Sequence, residues 1–152
     1  MIEAKVKLTF PQATQFIAET GSGHKFIIDT PDSNTGPKPV ELLAAALAGC
    51  TAFDVITILR NKKHKKVTAY EVSVKAEQRN FPPQVFTKVT IHHSITGENV
   101  DAQSVEDAIE LSDMKYCSVG AMVRQSGAEI TTTYAVKSVD EAEVGSYRAL
   151  VS

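Results

Sequence analysis

"VELLAAALAGCTAFDVITIL", residues 40–59, is apolar around almost its whole circumference and carries one thiol, Cys50, near its middle. Pro39 just ahead suits the first position of a helix, where no amide hydrogen is needed. The "RNKKHKK" that follows (60–66) brings cations to the end at which a helix dipole is negative. The stretch predicts one long helix over residues 39–62 with no polar stripe to face water. Such a helix is either buried all round or spans a membrane. Gly49, Asp54, two threonines and an alanine-rich first half make a poor lipid-facing surface, so burial is the adopted reading and no membrane is expected. One short chain has little material to wrap around it. A second copy is the expected cover, in an obligate homodimer.

Working outward, Ile2, Ala4, Val6, Leu8 and Phe10 alternate in the period-2 pattern of a half-buried strand, which Pro11 stops. "TQFIAET" (14–20) and "HKFIIDT" (24–30) flank the tight turn "GSG" (21–23), predicting a three-stranded antiparallel meander. "PDSNTGPKP" (31–39) is a loop. Beyond the helix, "VTAYEVSVKAEQR" (67–79) and "QVFTKVTIHHSIT" (84–96) are long strands joined by the turn "NFPP". "DAQSVEDAIELSDMKY" (101–116) reads as an amphipathic helix capped by Asp101. "CSVGAMVRQSG" (117–127) reads as a short helix closed by Gly127, and "AEITTTYAV" (128–136) as a last strand. The order βββ–α–ββ–αα–β contains no series of βαβ units. It predicts an α+β fold of antiparallel sheets around a long central helix, one domain over residues 1–136. Residues 137–152 have weak periodicity and read as a C-terminal extension.

The bulk composition narrows the function classes. Sixteen basic and 18 acidic residues leave a net charge of −2, which offers no electrostatic case for nucleic acid or an anionic membrane. The opening MIEAKVKLTF lacks a basic segment followed by an apolar one, so a cytoplasmic location is expected. Two cysteines, Cys50 and Cys117, lie 67 positions apart with no CxxC, which argues for reduced or reactive thiols over a disulfide scaffold. No His/Cys spacing resembles a zinc site, and no metal is expected. His92 and His93 are adjacent on a strand, point to opposite faces and read as surface or satisfied histidines.

Taken alone, Cys50 reads as a small core residue, because free cysteine is among the most buried residue types. Cys117 stands where one helix ends and another begins, and first-turn amides there favour a thiolate. "PVELLAAALAGCTAFDVITIL", "GENVDAQSVEDAIELSDMKYCSVGAM" and "AEITTTYAV" together resemble the osmotically inducible protein C and organic hydroperoxide resistance (OsmC/Ohr) family, in its OsmC-like branch. The resemblance covers residues 2–136. It implies an intertwined dimer and a stress-response thiol peroxidase that reduces organic hydroperoxides. Cys50 matches the attacking position and Cys117 the resolving one, with an external dithiol, such as a lipoylated protein, as reductant and no bound cofactor.

The resemblance also implies two supports that are displaced here. Peroxidases of the family place an arginine in the N-terminal strands, whereas the first arginine of this chain is Arg60. They place a glutamate right after the helix-start proline, where this chain has Val40 and then Glu41. At roughly 100° per residue, Glu41 lies on the opposite side of the helix from Cys50. It either faces a partner subunit or solvent, or simply supplies negative charge to the first helical turn. Asp54, four residues after Cys50, shares its face and would raise a thiol's pKa unless itself paired. His24, Lys25 and Arg124 are the candidate replacement cations. The alternative to an enzyme is a non-enzymatic protein of the same fold that binds a small molecule or senses redox state.

Overall fold

Short connections between alternating strands favour pairing of neighbours, and the N-terminal segment follows that rule. The computed structural model describes residues 1–138 and, as backbone, 142–147, in two units, Met1–Leu43 and Ala44–Ser152. In the first, β1 (Ala4–Leu8), β2 (Phe16–Thr20) and β3 (Lys25–Ile28) form the expected antiparallel meander, with Leu8 opposite Phe16 and Phe16 opposite Ile28. Gly23 closes the β2–β3 turn at φ +86°, donating its amide to Thr20 O at 2.8 Å. That left-handed conformation suits a residue without a Cβ. The loop that follows is pinned by buried Asp29, whose carboxylate accepts from the amides of Thr30 (2.7 Å) and Thr35 (3.2 Å) and from the Thr35 hydroxyl.

α1 (Pro39–Thr57) starts at the expected proline and passes into a π-helical turn, Ile58–Lys62. It buries Leu47, Thr51 and Val55, spaced four apart and therefore on one stripe. Phe53 stands 76% exposed on another side. All-round burial is thus not reached within one chain. The 24 residues Pro39–Lys62 are long and apolar enough to cross a membrane by length and composition, and 28% of their most apolar window is buried.

β4 (Lys66–Gln78), β5 (Phe86–Glu98), β6 (Glu129–Ser138) and β7 (Ala142–Tyr147) form a sheet in that order. β4–β5 and β6–β7 are antiparallel, but β5–β6 is parallel, with Lys88 opposite Glu129 and Gly97 opposite Ser138. This corrects the expectation of purely antiparallel sheets. The connection from 99 to 128 carries α2 (Ala102–Leu111), a π-helical turn (Ser112–Tyr116) and α3 (Ser118–Gln125), long enough to return the chain to its starting end. One such crossover suffices; a repeating series is unnecessary. β7 lies within the stretch read as an extension, while 139–141 and 148–152 fall outside the described residues.

Alternation puts Val89, Ile91, His93 and Ile95 of β5 on the buried face with Ile130, Thr132, Tyr134 and Val136 of β6. One part of the core joins this face to Val55, Ile58 and Leu59 and to Val105, Ala108 and Ile109 of α2. Another joins it to Leu47 of α1 and to Cys117 and Val123, with Cys50 packed alongside. Both thiols therefore lie at one end of the helix-covered face.

Candidate thiol site

Cys50 sits on α1 one turn before Asp54, so helix geometry alone stacks their side chains. Cys117 reaches the same place from the other end of the domain's connectivity, as the residue between the π-helical turn and α3. The two sulfurs and an Asp54 carboxylate oxygen all lie within 4.8 Å of one another. Cys50 and Asp54 are half-buried, Cys117 is 5% exposed, and both thiols are free.

Cys117 has the helix-start geometry that the sequence predicts: its Sγ caps α3 by accepting from the Gly120 amide at 3.3 Å. A thiolate nevertheless does not follow. Burial pushes the Cys117 thiol up to about 12, helped by its hydrogen bond with Cys50 and by the negative charge of Asp54, and the single amide does not offset them. Cys117 therefore keeps its proton. Gly120 matters to this geometry, since a Cβ there would meet Cys117 Sγ at 3.0 Å and Leu47 Cδ1 at 3.7 Å.

Asp54 is held from its far side. The buried Ser112 hydroxyl donates to Asp54 Oδ2 at 2.9 Å and lies 3.3 Å from Thr51 Oγ1. Ser112, Thr51 and Gly120 are the site residues that sequence reasoning misses. Their only signal is a position one helical turn from a cysteine or a carboxylate, and that signal has meaning only once the partner helix is known.

The other candidates have local partners of their own. Glu41 serves its own helix start, where its Oε2 accepts from the Lys38 amide at 2.8 Å and its Oε1 lies 3.5 Å from Lys38 Nζ. That is the glutamate half of a capping box, with Lys38 at the cap. The Lys38 amide lowers the Glu41 carboxyl below its ordinary value. His24 and Lys25 belong to the N-terminal unit, where His24 Nδ1 is 3.0 Å from Ser22 Oγ and Lys25 is 3.5 Å from Glu19. Arg124 forms an ion pair with Asp113. The replacement cation sought from the sequence is thus already engaged in the case of Arg124.

His92 and His93 do take opposite faces. His92 Nδ1 is 2.7 Å from Thr133 Oγ1. His93 is fully buried, stacked on Tyr70, and its Nδ1 is 2.7 Å from the Tyr70 hydroxyl, while its Nε2 has no hydrogen-bond partner among the described residues. Burial, with a smaller contribution from His92, holds His93 down at about 4. Tyr70 is pushed up by burial and then by the charge of Asp54.

Comparison with known proteins gives this chain relatives in sequence and in fold. Residues 31–133 match the sequence family described as OsmC-like protein. The chain is 34% identical over 135 residues to Protein YhfA of Escherichia coli K12, covering 89% of this chain and 98% of that one. A hypothetical protein from Aquifex aeolicus VF5 superposes with a TM-score of 0.79 at 28% identity, covering 91% of this chain and 97% of its own. At 17% identity and a TM-score of 0.62, the fold is also that of a Legionella pneumophila structure. It covers 90% of this chain and 96% of that one, and is described as an organic hydroperoxide resistance protein OsmC and predicted redox protein.

Proposed function

The chain belongs to the OsmC-like protein family, and from that membership we propose that it is a two-cysteine thiol peroxidase acting on organic hydroperoxides. The family and its structural neighbours point to peroxide-related redox chemistry. The observation that carries the finer reading is the meeting of two free sulfurs within 4.8 Å, from positions 67 residues apart. Closing that gap to a disulfide needs side-chain rotation of a few ångströms at most.

Burial divides the labour. Cys50 is the more accessible sulfur and attacks the terminal peroxide oxygen; the O–O bond breaks and the alkoxide leaves as an alcohol after taking a proton. Cys50 becomes a sulfenic acid. Cys117 then attacks the Cys50 sulfur, the S–S bond forms, the S–O bond breaks, and the hydroxide leaves with the Cys117 proton as water. Two of the influences that keep Cys117 protonated come from Cys50 itself, by hydrogen bond and by charge. Oxidation of Cys50 replaces the thiol that makes that hydrogen bond, while burial and Asp54 stay in place. An external dithiol, such as a lipoylated protein, returns two electrons. The free thiols suit a reducing cytoplasm, and a second copy of the chain is the proposed cover for the exposed side of α1.

The test is titration of the reduced protein with cumene hydroperoxide while free thiols are counted. Wild type should lose both thiols rapidly, Cys117→Ser should accumulate a trappable sulfenic acid, and Cys50→Ser should react at the rate of an ordinary thiol. Oxidation as fast in Cys50→Ser as in wild type would overturn the assignment. The high pKa of Cys117 favours a second reading, a slow redox sensor, which the same titration identifies as stoichiometric oxidation without turnover when dithiothreitol is supplied.

A further inference from the structure

We propose that the reduced cluster of Cys50, Asp54 and Cys117 is also a binding site for a thiophilic divalent cation, zinc above all, and that oxidation of the thiol pair releases it. The sequence carries no zinc spacing because the three donors come from two distant segments: an i, i+4 pair on α1 and the residue that starts α3. In space they converge. With zinc–sulfur bonds near 2.3 Å, a tetrahedral ion holds its two sulfurs about 3.8 Å apart. The observed upper limit of 4.8 Å is within reach of small χ1 rotations.

The donor set is selective. Two thiolates and one carboxylate favour zinc over magnesium or calcium, which take oxygen ligands almost exclusively. Ser112 supplies the outer hydrogen bond that orients a ligating carboxylate, donating to Asp54 Oδ2 at 2.9 Å. Of the three donors, Asp54 also borders a cavity of about 260 Å³ that Phe53, Thr57, Ile58, Lys62 and Tyr116 line with it. Two thiols and one Zn²⁺ give a zinc dithiolate and two protons released to solvent. A disulfide has no thiolate to offer, so the oxidised protein loses two of three ligands at once. Zinc thus competes directly with peroxide for the same sulfurs, but its binding does not depend on catalysis.

The experiment is competition between the full chain and a chromogenic zinc chelator, with ZnCl₂ as probe, for reduced protein and for protein oxidised by diamide. The reduced chain should take one zinc, and the oxidised chain should bind at least about a hundredfold more weakly. Cys50→Ser and Cys117→Ser should each show a loss of similar size, and Asp54→Asn about tenfold. In wild type, zinc should also slow alkylation of both thiols, a readout that survives if a variant fails to fold. Equal zinc affinity in reduced and oxidised protein, or alkylation indifferent to zinc, would overturn the site. A chain that binds zinc but ignores hydroperoxides keeps this site and loses the peroxidase reading; the converse result separates them the other way.

Discussion

A sulfur at the start of a helix gains from the amides pointing at it, and Cys117 has such a contact with Gly120 at 3.3 Å. Its burial and the neighbouring Cys50 and Asp54 outweigh that gain, so the helix end fixes where the sulfur points more than whether it ionises. His93 shows the same dominance of burial. Its folded pKa is about 4 against an ordinary 6.5, so the unfolded chain binds the extra proton first. The stability that His93 contributes is complete above pH 6.5 and is lost as the pH falls toward 4. The loss over that window is up to about 3 kcal/mol. Urea unfolding at pH 7, 5.5 and 4.5 should show a shallower decline for His93→Gln than for wild type; parallel declines would show that other groups carry the acid sensitivity. Cys50 and Cys117 were legible as candidates from the sequence. The interior position of His93 was not, because a period of two tells that neighbours oppose each other but not which face a helix covers.

Among the elements, α2 has the clearest local logic. Asp101 accepts from the Ser104 amide at 2.8 Å, as its position before the amphipathic run predicts, and also pairs with Lys65 at 2.7 Å. Desolvation pulls its carboxyl upward, but the hydrogen bonds from Lys65 and Ser104 prevail and hold it at about 2. Asp101→Ala should cost about 1 to 2 kcal/mol in denaturant unfolding, and Asp101→Asn, which keeps a capping oxygen, should cost less. Equal losses would mean that the ion pair, not the cap, stabilises this end. α1 and α3 also start on local bonds, at Lys38 and Cys117, and the elements through β6 appear close to where proline, glycine and periodicity place them, whereas β7 carries no such signal. Strand direction is different. The parallel β5–β6 pair depends on where a 30-residue connection delivers the chain, and no residue of either strand encodes that.

For the whole molecule, the open question of cover for α1 becomes a measurable one. Phe53 at 76% exposure, on a helix that buries only the Leu47, Thr51 and Val55 stripe, should lie in the interface of a homodimer. Sedimentation equilibrium should return twice the 16.4 kDa chain mass, and Phe53→Glu should shift it toward the monomer. A wild-type monomer, or a protein recovered only with detergent, would refute the second-copy cover. What the sequence by itself determined was the elements up to β6, the α+β class, the helix without a polar stripe and the two thiols worth watching, because each follows from contacts a few residues apart. Only the tertiary structure decided that Cys117 returns to the face of α1 that carries Cys50 and Asp54, and that burial there keeps its proton in place. Those outcomes depend on packing between segments distant in the chain, where desolvation and proximity act without regard to sequence spacing.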